Sequence, residues 1–254
     1  MPHPLDLADL FPTTGAVPAD YAAVLPCETR ASLIDGELRH WDGPTQDIHS
    51  PILIRTGGEL LPQRLGLCPV QNAEAGMAAL DAACRAFAGG RGAWPTLGVA
   101  GRIAAVEDFA RRMAAQRELV VRLMSWEICK PLADCGVEFD RTTEYIADTV
   151  EALKDLDRAS SGLVTEAGIL GQIRRSPLGV ALCMGPFNYP LNETFATLLP
   201  ALIMGNTALV KTPKLGRLLF APLLDCFREA FPPGVVNVIS GGRDMLAPIM
   251  ASGR

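Results

Sequence analysis

The second half of the chain alternates strand-like and helix-like apolar segments, and this alternation limits the fold more than any other feature. Within residues 178–254 the order is VALCMG as a buried strand, LNETFATLLPALIMG as a helix, NTALVK as a strand, RLLFAPLLDCFREAF as a helix and VVNVIS as a strand. Strands and helices that alternate through short connections predict a parallel sheet with right-handed crossovers. The predicted fold class is therefore α/β, with a Rossmann-type parallel sheet and flanking helices.

The segments that precede this sheet are of three kinds. Residues 1–50 are rich in proline and lack a sustained period, which predicts an N-terminal arm or cap. Residues 51–157 begin with two short strands around the Gly57-Gly58 turn and continue as helices with apolar residues at three- and four-residue spacing. Residues 158–177 show short β-like alternation, which predicts an extended hairpin that projects from the body.

The ends of the three predicted parallel strands carry the residues that suit ligand binding. The GPFNYP turn follows the first strand, Lys211 ends the second, and Gly241-Gly242 follows the third. Because sheets of this kind bind ligands beyond the carboxyl ends of their strands, this order predicts a cofactor crevice. No GxGxxG sequence follows any of these strands, so a dinucleotide pyrophosphate would be held by another arrangement.

Composition and charge argue against several classes of partner. The net charge is −5 and the basic residues are scattered, which argues against nucleic acid. No apolar run reaches the roughly 18 residues that a bilayer span needs, and the N-terminus lacks a signal-peptide pattern, so a cytoplasmic protein without membrane contact is expected. The seven cysteines include no CxxC pair, which indicates reduced core residues and no metal site.

The segment RSPLGVALCMGPFNYPLNETFATLLPALIMGNTALVKTPK resembles the aldehyde dehydrogenase superfamily, which has a Pro-aromatic-Asn-aromatic-Pro turn, then PAL..GN and a lysine at a strand end. The resemblance extends from about Gly58 to the last residue and does not include the first fifty. The long GPFNYPLNETF form is most similar to the non-phosphorylating, NADP-dependent glyceraldehyde-3-phosphate dehydrogenases. This resemblance implies the N-terminal, cofactor-binding half of an enzyme that oxidises glyceraldehyde-3-phosphate to 3-phosphoglycerate with NADP, with NAD as the alternative cofactor.

The family oxidises an aldehyde through a thiohemiacetal and a thioester on a cysteine, with hydride passing to the nicotinamide. Asn188 matches the asparagine whose side-chain amide stabilises the oxyanion, a task that needs a fixed neutral donor. The alternative is a turn asparagine that satisfies its own backbone. Tyr189, next to it, either lines the aldehyde pocket or packs as a core aromatic residue, and the first interpretation is preferred.

The predicted substrate contact is Arg141, in the sequence EFDRTTEY. It matches an arginine that contacts the substrate phosphate in the glyceraldehyde-3-phosphate enzymes, and a guanidinium group suits that anion. An equally favoured alternative is that Arg141 pairs with Glu138 or Tyr145 on the same helix face.

The resemblance implies cofactor contacts by Phe187, Lys211, Pro213, Lys214 and Gly241. Lys211 matches the lysine that binds the adenosine ribose. Lys214 stands where many NAD-preferring relatives have a glutamate, and a lysine would attract the 2′-phosphate that a glutamate repels. Gly241 matches the glycine where the pyrophosphate approaches the following helix. The alternatives are an exposed strand-end lysine at 211, a solvated loop lysine at 214 and a simple strand-to-helix turn at 241.

The catalytic cysteine and the general-base glutamate of the family lie beyond Arg254, so the isolated chain is expected to be inactive and to need a partner that carries the nucleophile. A three-stranded sheet open along one edge exposes backbone groups and apolar surface, and a homo-oligomer is expected. Three hypotheses remain. The chain is an oxidoreductase half, a non-catalytic NADP-binding module, or a structural fragment that associates through the hairpin of residues 158–177.

Overall fold

The computed structural model describes residues 7–254, which form ten strands and nine α-helices. The strands are β1 (Cys27–Glu28), β2 (Ala31–Ile34), β3 (Glu37–His40), β4 (Thr45–Thr56), β5 (Glu59–Pro69), β6 (Val164–Glu166), β7 (Ile169–Gly171), β8 (Val180–Met184), β9 (Thr207–Lys211) and β10 (Val236–Ile239). The helices are α1 (Ala19–Ala22), α2 (Ala73–Phe87), α3 (Ala93–Thr96), α4 (Val99–Ala114), α5 (Arg117–Ile128), α6 (Leu132–Ser160), α7 (Asn192–Ile203), α8 (Leu224–Ala230) and α9 (Arg243–Ala251). In this described part, no helix is both long and apolar enough to cross a membrane.

A five-stranded sheet in the order β3-β2-β10-β9-β8 forms the centre of the fold. Strands β8, β9 and β10 are parallel to one another, which confirms the α/β prediction. Strands β9 and β10 are buried along almost their whole length, which explains why their sequences are nearly continuous apolar runs. Within residues 7–254, β8 pairs on one side only and is an edge strand of this sheet.

Two strands of the sheet come from residues 1–50, where the sequence predicts an irregular arm. Strand β2 runs antiparallel to β10, and β3 runs antiparallel to β2. Asp35 and Gly36 join them with φ values of 58° and 76°, which is the geometry of a two-residue type I′ hairpin turn. An Asp-Gly pair between two short strand-like runs is a hairpin signal, but the surrounding prolines obscure it. This hairpin covers the edge of the sheet at β10.

A buried asparagine connects that hairpin to the parallel strands. Asn237 lies in β10 and is fully buried. Its Oδ1 accepts a hydrogen bond from the Asp35 N–H at 2.9 Å, and its Nδ2 donates to the Gly234 carbonyl at 2.9 Å. A polar side chain in this position satisfies backbone groups of the turn that would otherwise be buried without a partner.

Helices cover both faces of the sheet. On one face, α2 and α9 pack on Leu209 and Ile239. On the other face, α4, α7 and α8 contribute Phe109, Phe195 and Phe227, whose ring centroids are 4.4–6.0 Å apart. This three-layer arrangement buries the sheet and leaves the carboxyl ends of its parallel strands accessible at one edge.

Two hairpins lie outside the central sheet. Strands β4 and β5 pair around the Gly57-Gly58 turn and contain 12 and 11 residues, so they are longer than the short strands that the sequence predicts. Strands β6 and β7 pair within the segment of residues 158–177, and every residue of both strands is exposed. The exposed apolar side chains of this second hairpin and its flanks are Leu163, Val164, Ile169, Leu170 and Ile173.

Candidate functional site

The carboxyl ends of the three parallel strands meet at one edge of the sheet. Lys211, the last residue of β9, is aligned with Met184 of β8 and with Ile239 of β10. From this edge the chain continues into the GPFNYP turn, into the loop of residues 212–217 and into α9. The structure therefore brings the candidate segments to the same edge, as their order in the sequence predicts.

A cavity of about 600 Å³ lies at the ends of β9 and β10. Four cationic side chains line it: Lys211, Lys214, Arg217 and Arg243. None of the described residues that line it carries a carboxylate. The first N–H groups of α9, next to Gly242, receive no side-chain cap. Unpaired N–H groups and several cations suit a ligand with more than one negative charge.

Lys211 is half-buried and lines this cavity. Burial lowers its pKa, and the nearby charge of Arg217 lowers it further. The ammonium group therefore lies in an environment that disfavours its charge until an anion is bound. A bound phosphate would raise the pKa again and stabilise the protonated lysine.

For the ribose contact that the sequence analysis assigns to Lys211, we expect Lys211→Met to weaken nucleotide binding by about 10- to 100-fold, because it removes a charged hydrogen bond to the ligand. In the original chain, affinity should fall as the pH rises from neutrality through the lowered pKa of Lys211, since the ammonium group is lost. Over that range the unfolded chain binds more protons, so the stability of the free protein should rise with pH. Both trends should be much weaker in the variant. Isothermal titration measures the nucleotide affinity and urea unfolding measures the stability, each between neutral pH and about pH 10. Lys154→Met is the control. If Lys211→Met keeps the same pH trends as the original chain, Lys211 is not the group that causes them.

The loop after β9 is fixed by a buried carboxylate. The backbone N–H groups of Arg217 and Leu218 donate to Glu127 at 3.0 and 2.8 Å, and burial raises the pKa of Glu127. The Arg217 guanidinium donates to the Lys214 carbonyl at 2.8 and 3.1 Å and to Gln46 Oε1 at 3.2 Å. These contacts set the path of the loop and leave the Lys214 side chain exposed beside the cavity.

Three further residues near the cavity concern the sequence prediction. Pro213, a predicted cofactor contact, is buried between Lys211 and Lys214, where it gives the loop a rigid base, and it is not among the described residues that line the cavity. Arg217 and Arg243 are cations of the cavity that the sequence analysis missed. Arg243 follows a glycine pair at a strand end, and this position in the sequence was sufficient to predict that it lies at the cavity. No sequence signal predicted the position of Arg217, because the loop that brings it back to the cavity is irregular.

Gly241 is required by the packing of the protein itself. A Cβ atom at this position would lie 2.6 Å from Met245 Sδ and 2.7 Å from the Gln71 carbonyl oxygen. Gln71 forms a parallel bridge with Gly241, and its Oε1 accepts from the Ser240 N–H at 2.8 Å and from Ser32 Oγ at 3.0 Å. The role of Gly241 toward a pyrophosphate stays a prediction.

The GPFNYP turn presents three candidate side chains to solvent. Phe187 is 61% exposed and Tyr189 is 42% exposed, so Tyr189 is not a core aromatic residue. Asn188 is also exposed, and its side chain makes no hydrogen bond to any residue in the range 7–254. The structure therefore does not show Asn188 satisfying its own backbone, and its amide is available to a ligand.

A buried ion pair contacts this turn from the interior of the protein. The Glu138 side chain is completely buried, and its Oε2 lies 2.5 Å from Lys130 Nζ. Its Oε1 accepts hydrogen bonds from the N–H groups of Leu191 and Asn192 at 3.0 and 3.1 Å. Lys130 Nζ also lies 3.8 Å from the centroid of the Tyr189 ring. The pair thus connects α6, the turn and the first residues of α7.

Arg141 lies on α6, one helical turn after Glu138, and is exposed. Neither of its two alternative partners binds it. Glu138 pairs with Lys130, and the Tyr145 hydroxyl donates to the Ala196 carbonyl at 3.3 Å. Among the described residues Arg141 forms no ion pair, so its guanidinium is available to an anion.

Comparison with known proteins gives consistent matches along most of the chain. A model described as the aldehyde dehydrogenase family matches residues 62–254. The chain is 30% identical over 179 residues to N-succinylglutamate 5-semialdehyde dehydrogenase of Ectopseudomonas mendocina, a match that covers 68% of this chain and 36% of that protein.

Two solved structures are similar in fold. The NAD-dependent aldehyde dehydrogenase from Sinorhizobium meliloti has a TM-score of 0.74 at 26% identity, over 90% of this chain and 44% of that one. The C291A mutant of aldehyde dehydrogenase C from Pseudomonas syringae, in complex with NAD⁺ and octanal, has a TM-score of 0.74 at 21% identity, with the same coverage. The chain spans less than half the length of each of these proteins.

Proposed function

The chain belongs to the aldehyde dehydrogenase family, and on that premise we propose that it forms the NADP-binding part of an aldehyde dehydrogenase. The observation that carries this proposal is the cavity lined by Lys211, Lys214, Arg217 and Arg243, with no carboxylate among its described lining residues. A site that prefers NAD benefits from an acceptor for the ribose 2′-hydroxyl, whereas a 2′-phosphate needs cations. The Sinorhizobium meliloti protein is named as NAD-dependent, so preference for NADP is a property we propose for this chain itself.

The residues of the turn would act on the aldehyde in the complete enzyme. Bound NADP⁺ supplies the hydride acceptor. Asn188 offers a neutral amide donor at the end of β8, where it would stabilise the negative charge that develops on the aldehyde oxygen. Tyr189 and Phe187 expose aromatic faces beside it, which suits Tyr189 to the substrate pocket and Phe187 to the cofactor side. Two prolines flank these residues and restrict the backbone φ at both ends of the turn.

The proposed substrate is glyceraldehyde-3-phosphate, and Arg141 supports it. Its guanidinium is exposed and forms no ion pair with the described residues. Arg141 lies one helical turn after Glu138, the residue whose carboxylate caps α7 beside the turn. In the complete enzyme we expect Arg141→Gln to raise the KM for glyceraldehyde-3-phosphate by about 10-fold or more, through loss of a charged contact. The KM for an uncharged aldehyde of similar size should change little. An equal rise for both aldehydes would remove the support for a phosphorylated substrate.

The purified chain separates the proposed function from its alternatives. We expect it to bind NADP⁺ more tightly than NAD⁺ and to form no NADPH from glyceraldehyde-3-phosphate, because none of its cysteines matches the family nucleophile. Addition of a polypeptide that carries the catalytic cysteine and glutamate should restore NADPH formation, followed by the absorbance of the reduced nicotinamide. If the chain binds the nucleotide but no such polypeptide restores NADPH formation, the result favours a non-catalytic module. Absence of nucleotide binding would favour a structural fragment, and NADPH formation by the homogeneous chain alone would contradict the proposal.

The exposed hairpin supports association with further copies of the chain. Two apolar side chains of the hairpin and its flanks, Ile169 and Ile173, are more than 70% exposed, and unpaired strand edges that carry apolar groups favour association. We therefore include a homo-oligomer in the proposed function.

A further inference from the structure

Lys130 makes three contacts around the turn that carries Asn188. Its ammonium group lies 2.5 Å from Glu138 Oε2, donates to the Asn188 carbonyl at 3.4 Å and lies 3.8 Å from the centroid of the Tyr189 ring. Only 14% of its side chain is exposed. A carboxylate, a carbonyl and the face of an aromatic ring are three favourable partners for an ammonium group.

The backbone of Lys130 is fixed as firmly as its side chain. The residue lies in the break between α5 and α6, where its carbonyl accepts from Ser125 Oγ at 2.9 Å. Its carbonyl also accepts from Cys135 Sγ at 3.6 Å. The opposite partner, Glu138, is anchored on α6 and accepts two N–H groups from the start of α7. Lys130 is thus a rigid cation directed at the turn from a separate part of the fold.

The turn itself has few other attachments. Within residues 7–254, the backbone of residues 187–189 receives two hydrogen bonds, one from Lys130 to the Asn188 carbonyl and one from the Glu193 N–H to the Tyr189 carbonyl. The flanking prolines restrict φ at residues 186 and 190 but do not restrict ψ of Asn188, one of the two torsions that orient the peptide between Asn188 and Tyr189. Lys130 contacts both sides of that peptide, since it binds the carbonyl of one residue and the ring of the next.

We propose that Lys130, held by Glu138, is a positioning residue that fixes the Asn188-Tyr189 peptide and so directs the Asn188 amide. The catalytic importance of this role rests on the proposed function, in which Asn188 is the oxyanion donor. A small rotation of this peptide would move the amide away from the developing charge, and such donors act only when they are correctly oriented.

The positioning itself is tested in the chain as it exists. The chain has three tyrosines, so labelling with 3-fluorotyrosine gives three ¹⁹F resonances, and Tyr189→Phe assigns one of them. In Lys130→Met we expect this resonance alone to shift. We also expect amide exchange at residues 191–193, whose N–H groups bind Glu138 and the Tyr189 carbonyl, to accelerate about tenfold or more. Lys130→Arg should restore much of the original spectrum, because it keeps the charge. Lys154→Met, on an exposed ion pair of α6, is the control and should change neither readout.

The catalytic part is tested in the complete enzyme. Lys130→Met should lower kcat about 10- to 100-fold, with the affinity for NADP⁺ unchanged, since the lysine does not line the nucleotide cavity. An unchanged Tyr189 resonance with unchanged exchange would overturn the positioning role, and an unchanged kcat would overturn its link to Asn188. Where Lys130→Met does not fold, Lys130→Gln, which removes the charge but keeps a polar head group, carries the same comparison. Failure of the original chain to bind NADP⁺ would instead count against the proposed function, because the ¹⁹F and exchange results do not depend on nucleotide.

Discussion

Lys214→Glu is expected to reverse the nucleotide preference of the chain. The variant places a carboxylate beside a cavity that otherwise has only cations among its described charged residues. A 2′-phosphate would lose a charged contact and gain a repulsive one, so NADP⁺ affinity should fall by about 100-fold. The 2′-hydroxyl of NAD⁺ would gain an acceptor, so NAD⁺ affinity should hold or rise by a few-fold.

Titration of both nucleotides against the same protein preparation measures this reversal, and NAD⁺ is the internal control for folding. Lys214→Met separates the two causes, because it removes the attraction without adding repulsion and should give an intermediate loss of NADP⁺ affinity. The Arg217 contacts involve the backbone carbonyl of Lys214 and should survive both substitutions. If NADP⁺ binds to Lys214→Glu as tightly as to the original chain, then Lys214 is only a solvated loop residue.

Glu138→Ala is expected to lower the free energy of unfolding by about 3–5 kcal/mol, the usual effect of removing one partner of a buried ion pair. The substitution leaves Lys130 without its counter-charge and leaves the N–H groups of Leu191 and Asn192 without an acceptor in the interior. Urea unfolding followed by tryptophan fluorescence gives the difference from the shift of the midpoint at constant slope.

Glu144→Ala is the matched control for this experiment. Glu144 is an exposed carboxylate on the same helix, and its removal should change the free energy of unfolding by about 0.5 kcal/mol or less. If Glu138→Ala changes stability no more than this control, the Glu138 carboxylate is not satisfying buried groups of the turn. Glu138→Gln should give an intermediate loss, because one of its two side-chain heteroatoms still accepts hydrogen bonds.

The order of strands and helices in the second half could be predicted because its signals are local. Each strand of VALCM, TALVK and VNVI is short, apolar and followed by a turn residue, so strand ends such as Lys211 and Gly241 were placed at the same sheet edge from sequence alone. The GPFNYP turn was located for the same reason, since two prolines mark its limits.

The features that the sequence analysis missed depend on contacts between distant residues. The hairpin of β2 and β3 is fixed by a hydrogen bond between Asp35 and Asn237, which are 202 positions apart. Lys130 reaches the site from the irregular segment between α5 and α6, and Arg217 from the irregular loop after β9, and no periodicity indicates where such side chains point. The length of β4 and β5 was underestimated for a related reason, because partner strands set the length of a hairpin as much as their own composition does.

The edge position of β8 determines where a further strand can pair with the sheet. In the described part of the chain, β3 and β8 are the two edge strands of the sheet. Strand β3 is mostly exposed and carries Glu37 and Arg39, which discourage further pairing, whereas β8 has the apolar composition of a central strand. A further strand, from whichever polypeptide supplies it, would therefore add beside β8. The cation-lined cavity lies at β9 and β10, on the side away from that edge, so enlargement of the sheet and occupancy of the cavity can proceed independently.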